Sequence, residues 1–216
     1  MGKNTPAYRI YCVPEQLERG LIDASRADVQ KLLKRPGHLR PNSFGYRGLS
    51  TIRPTAEGIR GIGETAEQEL ILLENGYLEL SCPVRNSLFQ WRKERAGFAD
   101  VDWLYPYAVV EMPASFLRVA RELYSLVEVE SPIRIGQEYR NIEGFVLVAG
   151  HPANPFFGEE AKTFQERDLI GKAHVVEAAF SPEKEARRLI LEVYEYFGFD
   201  SGAVPEIEEA WMYDRV

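Results

Sequence analysis

The residues able to do chemistry are few and widely separated. His38, His151 and His174 lie far apart without a metal-spaced partner of the HxxxH kind, so each is read as a structural histidine. Cys12 and Cys82 are 70 positions apart, too far to form a CxxC redox pair, and two thiolates cannot build a cysteine zinc site, so they are read as buried free thiols. Glu160-Ala161-Lys162 has the acid-x-lysine spacing that puts a metal ligand and a charge stabiliser on one strand face in nucleases. Its setting, HPANPFFGEEAKTF, reads as a loop, and the pair is taken as solvated surface. Asp100 and Asp102 are too short a motif for acid–base work, which needs a perturbed environment. Gly58, Gly61 and Gly63 are turn glycines rather than a dinucleotide loop, because no apolar strand precedes them. There is no phosphate-cradling loop ending in Lys-Ser/Thr and no GxSxG elbow. No catalytic residue, metal ligand or cofactor is nominated.

Binding chemistry is better represented. From Arg26 to Arg60 eight basic residues face only Asp28 and Glu57, a local charge of +6 that leaves −13 elsewhere in a chain of net charge −7. Within it Arg40, Arg47 and Arg53 alternate with Phe44 and Tyr46 in a glycine-containing loop, a combination suited to phosphates and stacked bases. The competing reading pairs these arginines with the acidic remainder of the fold or a neighbouring subunit. A second group comprises Trp91, Arg92, Trp103 and Tyr105, in the aromatic stretch from Trp91 to Tyr107, where aromatics beside arginines make anchors for a protein partner.

Elements must position these groups. Tyr8 to Val13 reads as a strand stopped by Pro14. Ser25 caps a short helix carrying Val29, Leu32 and Leu33 and ended by Pro36-Gly37. Asn75-Gly76 supplies a two-residue hairpin turn, and pairing Glu74 with Tyr77 puts Ile71, Leu73, Leu78, Leu80 and Cys82 on one face, with Leu70, Leu72, Glu79 and Ser81 on the other. Pro113 opens a helix whose stripe is Phe116, Leu117, Ala120, Leu123, Tyr124 and Val127. A second hairpin runs from Ile133 to Val148 with its turn at Asn141 to Gly144, and His174 to Phe180 is a further strand. The last helix is capped by Ser181, begun by Pro182 and closed at Gly198, with Ala186, Leu189, Ile190, Val193, Tyr194 and Phe197 on one face. Pro205 to Val216 is an acidic tail whose Trp211, Met212 and Tyr213 are expected to dock on the domain itself.

Strands joined in pairs and interrupted by two or three amphipathic helices predict an α+β fold with a mainly antiparallel sheet. At 216 residues, 45% of them hydrophobic, positions 1–216 suffice for a single globular domain with its own core, and a subdomain seam falls near 84–106. No run approaches a membrane span, and MGKNTPAYRI lacks the apolar block of a secretion signal, so a soluble, cytoplasmic protein with no membrane partner is expected.

RPTAEGIR from Arg53, the following apolar strand, NGYLEL and WLYPYAVVEMPASFLRVARELY resemble the C-terminal region of bacterial Schlafen-like AlbA-domain putative nucleic-acid-binding or ATP-binding proteins, some of them associated with defence loci. The similarity covers most of the chain but consists of core and turn signatures. In that family nucleic-acid or nucleotide chemistry is attributed to an N-terminal domain absent from these residues, so the resemblance implies an accessory or sensing module and no nuclease activity. The leading expectation is a non-enzymatic module that binds a protein partner or another copy of itself, through the hairpin face or the Trp91 to Tyr107 region. Single-stranded nucleic-acid binding through residues 26–60 is the alternative, and an enzyme of unrecognised type the third.

Overall fold

The computed structural model describes residues 5–16, 20–36, 43–63, 67–91, 99–149 and 160–204. His38, Arg40, Arg92, His151 and the tail from Pro205 lie outside them.

The centre of the fold is β1 (Ala7–Pro14), in which Tyr8, Ile10 and Cys12 are fully buried while Arg9, Tyr11 and Val13 alternate to the opposite side. One edge of β1 pairs antiparallel with β5 (Leu78–Pro83), and β4 (Glu69–Leu73), β3 (Gly58–Gly63) and β2 (Leu49–Thr55) continue the sheet outward as hairpins. The other edge pairs with β7 (Ile133–Arg140), which is flanked in turn by the short strands β10 (Leu169–Ile170) and β11 (His174–Val176). Among the described residues the result is an eight-stranded antiparallel sheet with three α-helices, an α+β fold. Pro54 lies in β2, an edge strand, where a missing N–H costs no ladder hydrogen bond. A separate three-stranded sheet joins β6 (Trp103–Leu104), β8 (Val146–Ala149) and β9 (Glu160–Thr163).

All three helices cover one face of the large sheet. In α1 (Ala27–Lys34) Val29 and Leu33 are buried. In α2 (Pro106–Leu126) the Tyr124 hydroxyl donates to the carbonyls of Cys12 and Gly76, fixing the helix across β1 and the β4–β5 turn. In α3 (Pro182–Tyr196) the carbonyl of Leu189 accepts from Gln137 on β7. Leu70, Leu72, Leu78, Leu80, Ile135 and Tyr139 meet these helices from the sheet, and each fully buried aliphatic side chain contributes roughly 1.5–3 kcal/mol. Among the described residues no helix is long and apolar enough to cross a membrane.

Several local expectations need correction. The Leu73 amide donates to the Tyr77 carbonyl and Gly76 adopts φ +85°, so the turn holds three residues, Glu74-Asn75-Gly76, rather than two. That one-residue shift moves the β4 side chains to the opposite faces, so that Leu70 and Leu72 join Leu78, Leu80 and Cys82 in the core and Ile71 and Leu73 join Tyr77, Glu79 and Ser81 on the other face. Helix α2 begins at Pro106, and Pro113 sits in its interior. An interior proline costs about 3 kcal/mol. Burial of Ala108, Val109, Val110 and Met112 in the added turns offsets it. Ser25 does not cap α1; its amide and hydroxyl donate to Asp23 in a local turn instead. Ile133 to Val148 is not a hairpin, because β8 leaves the large sheet to pair with β6 and β9. The strand from His174 ends at Val176, where a turn closed by Phe180 N–H to Glu177 C=O leads into α3. Glu160 and Lys162 lie on a strand, β9, rather than in a loop. Helix α3 matches its expectation at both ends: Ser181 Oγ accepts from the Lys184 amide, and Gly198 follows at φ +82°.

Candidate functional site

The structure brings two of the sequence-selected groups together. Phe44 packs edge-on against Tyr105 at 4.9 Å and against Trp91 at 5.5 Å, and Trp103 and Tyr107 extend the cluster through Tyr105. Loop 43–48 is fixed there by the N-terminal half of α2. The Phe44 amide donates to buried Glu111, and the Tyr46 amide to Ser115 Oγ at 2.7 Å. Burial decides what the cluster can do. Trp103, Tyr105 and Tyr46 are buried, and the Tyr46 hydroxyl is spent on the Leu33 carbonyl, so they support the loop and offer no ring to a ligand. Trp91 is exposed. Arg47 folds back to donate twice to the Ser43 carbonyl. Arg53 is exposed on β2, opposite Arg60.

The more extensive surface is the face of the large sheet that the helices leave uncovered. Thr51, Ile62, Glu69, Ser81, Arg9, Glu138 and Ile170 are successive neighbours in one row running across seven strands. A second row carries Arg53, Arg60, Ile71, Glu79, Tyr11 and Gly136. Ionic contacts hold its centre. Arg9 Nε lies 2.6 Å from Glu79 and its Nη1 3.2 Å from Glu138, while Arg140 reaches Glu138 at 2.7 Å and Asp168 at 3.4 Å. Tyr77 accepts from Arg9 Nη2 and donates to Glu79. Partial burial works against the Arg9 charge, but the bonds to Tyr77 and Glu79 outweigh it and hold the guanidinium protonated above its ordinary range. Burial, aided by Glu79 and opposed by Arg9, pushes the Tyr77 phenol up to about 12. The Tyr11 ring lies over Gly136, where a Cβ would sit 2.4 Å from the Tyr11 hydroxyl, and stacks on Tyr77 at 6.4 Å. At the margins the face turns apolar: Ile62 is 45% exposed, Ile170 52% and Val175 45%.

Sequence reasoning missed Arg9, Glu138 and Arg140 as functional candidates, and through the turn register put Ile71 on the face of Leu78, Leu80 and Cys82. The available signal was the alternation of Arg9 and Tyr11 with Ile10 and Cys12 in YRIYCV and the two-residue spacing of Glu138 and Arg140 in GQEYR, which mark one outward face.

The remaining chemical candidates are engaged or buried within the fold. His174 Nε2 is 2.8 Å from Glu185, both buried between β11 and α3. Beside them is a crevice of about 580 Å³ lined in part by Val175, Phe180, Lys184, Glu185 and Arg188. Lys162 pairs with Glu160 at 3.0 Å and donates to the Gly198 carbonyl, tying β9 to the end of α3. Cys12 and Cys82 are buried free thiols. Among the described residues no three His, Cys, Asp or Glu side chains gather as a metal site. Comparison with protein-family models, with curated proteins and with solved structures finds no match to this chain.

Proposed function

We propose that this chain is a non-enzymatic binding module that engages a protein partner through the uncovered face of its eight-stranded sheet. The observation that supports this reading most directly is the distribution of exposure. Three helices bury one side of the sheet, while the other carries half-buried Tyr11, Val13, Ile71 and Leu73 and leaves Ile62, Ile170 and Val175 exposed at its margins. An apolar margin around an internally paired centre suits a macromolecular surface better than a small ligand, which needs a concave site. The resemblance to Schlafen-like AlbA-domain proteins favours an accessory role in a bacterial defence or nucleic-acid-processing assembly. Two buried free thiols suit the reducing cytoplasm. The test is capture of purified products of neighbouring genes by immobilised wild-type chain and by an Ile62→Asp, Ile170→Asp variant. Binding lost in the variant supports the face; binding retained at full strength overturns it.

A second reading, single-stranded nucleic-acid binding, is favoured by one observation. Lys31 and Lys34 on α1, Arg35 just after it and Arg53 on β2 make no ion pair among the described residues, whereas Arg26 and Arg60 in the same basic segment are neutralised by Asp28 and Glu69. Affinity for a single-stranded oligonucleotide that falls with salt and with Arg53→Ala would support it; salt-independent binding would rule it out.

A further inference from the structure

The crevice beside His174 and Glu185 lies where β11 turns into α3, and its lining combines apolar side chains with unpaired cations. Pro132, Val175, Val176 and Phe180 supply the apolar part. Lys184 and Arg188, both exposed on α3, make no ion pair among the described residues, whereas the acids near them are engaged, Glu185 by His174 at 2.8 Å and Glu183 by Arg118 at 3.4 Å. Glu177, the other acid of the lining, follows β11, so the α3 side presents positive charge. Strand β11 pairs only with β7 among the described residues, which puts the crevice at the open border of the large sheet. A concave, partly apolar site flanked by unpaired cations suits an acidic segment that carries a large aromatic side chain.

The chain itself contains such a segment. Residues 205–216, PEIEEAWMYDRV, carry Glu206, Glu208, Glu209 and Asp214 against Arg215 alone, with Trp211 and Tyr213 among them. We infer that this segment docks back on the fold, with Trp211 in the crevice and Glu209 between Arg188 and Lys184. Both ends of its path are set. The chain reaches Val204 at the C-terminal end of α3, where the Phe199 amide donates to the Tyr194 carbonyl and Val204 packs on the core. From there the sheet border follows α3 to the crevice: Tyr196 donates to the Ile170 carbonyl at 3.3 Å, Glu192 accepts from the Lys172 amide at 2.7 Å, and Glu185 meets His174. The 15 residues of α3 span about 22 Å, and the residues from Val204 to Trp211 span about 23 Å when extended, so Trp211 comes level with the first turn of α3. Measured from the same end, Glu209 falls at about 17 Å, between Arg188 at about 12 Å and Lys184 at about 18 Å, which stand one turn apart on one helix face. Alternation agrees, because Ile207, Glu209 and Trp211 share one side of an extended chain. Neither Ile62 nor Ile170 takes part, so the reading of the uncovered sheet face stands or falls separately.

Trp211 reports on its own position. Acrylamide quenching of Trp211, taken as the difference between wild-type chain and Trp211→Phe, should show a shielded indole. The double variant Lys184→Glu, Arg188→Glu replaces only exposed side chains and should shift the docked-to-free ratio about fivefold toward free, with unchanged circular dichroism. Adding Glu209→Lys should restore the shielding. A zero-length carbodiimide should join Lys184 to Glu209 within a monomer, identified by peptide mass. Any one of four results overturns the inference: Trp211 as open to quencher in wild-type chain as free tryptophan amide, shielding indifferent to the charge reversal, shielding that Glu209→Lys fails to restore, or Lys184 joined to no residue of 205–216 within the monomer.

Discussion

The backbone amide of Phe44 donates to the carboxylate of Glu111, 67 positions further along the chain, at 2.5 Å. This bond and the neighbouring one from Tyr46 to Ser115 dock loop 43–48 on α2 and thereby hold the aromatic cluster in place. Glu111→Ala leaves the Phe44 amide without its partner, at a cost of about 1–3 kcal/mol in a urea unfolding curve. Because Trp91 packs on Phe44, its fluorescence should shift to the red in the folded variant.

Removing Arg9 takes the guanidinium from Glu79, while Glu138 keeps Arg140 at 2.7 Å. Glu79 and Glu138 have side chains only 12% and 13% exposed, whereas Arg9 itself is 39% exposed, so solvent softens the loss relative to a fully buried pair. Arg9→Ala is expected to cost about 1–2 kcal/mol in chemical denaturation. Combining it with Glu79→Gln should cost less than the sum of the single changes, as measured by a double-mutant cycle.

Alkaline pH should unfold the chain through its tyrosines. Burial raises the phenols of Tyr8, Tyr124, Tyr139 and Tyr194 well above their ordinary value, and Tyr77 stands at about 12. The unfolded chain releases these protons near pH 10 while the folded chain retains them, so stability declines as pH rises above about 10. Absorbance at 295 nm should show these five groups ionising together with loss of the far-ultraviolet signal, and Tyr77→Phe should make the decline shallower.

Both thiols should be inert in the folded chain. Burial pushes Cys82 up to about 12, only partly opposed by a bond from Asn86, and Cys12 higher still. A disulfide-exchange reagent should therefore titrate neither thiol under native conditions and both in denaturant. Rapid labelling of the native chain would show the β1–β5 contact to be open.

Two glycines with similar backbone angles separate strain from crowding. Gly76 and Gly144 have φ of +85° and +81°, but a Cβ at 76 would lie 2.6 Å from the Pro14 side chain, whereas at 144 it meets nothing within 4 Å. Gly144→Ala should cost roughly 1–2 kcal/mol for the left-handed backbone alone. Gly76→Ala should lower thermal stability further, because Pro14 or the β4–β5 turn must also move.

Much of the architecture was legible because alternation and punctuation are local. Helix α3 carries its cap, its proline and its closing glycine within one stretch, and β1 alternates without ambiguity. The β4–β5 register was not legible. Leu70-Ile71-Leu72-Leu73 is apolar on both faces, so the pattern could not choose between them, and Asn75-Gly76 serves a three-residue turn as well as a two-residue one. Pro106 and Pro113 both suit a first helical turn, and only burial of the residues between them decides. The uncovered face depended on contacts no local rule supplies: Arg9, Glu79 and Glu138 come from strands up to 129 positions apart. The approach of Phe44 to Trp91 and Tyr105 was hidden for the same reason.

Pro54 bears on how far association can go. A molecule with an exposed sheet border risks recruiting further molecules strand by strand into a growing filament, each new amide ladder extending the last. With a pyrrolidine ring in the outermost strand, that border lacks a donor where an incoming backbone would need one, so propagation by that route is blocked.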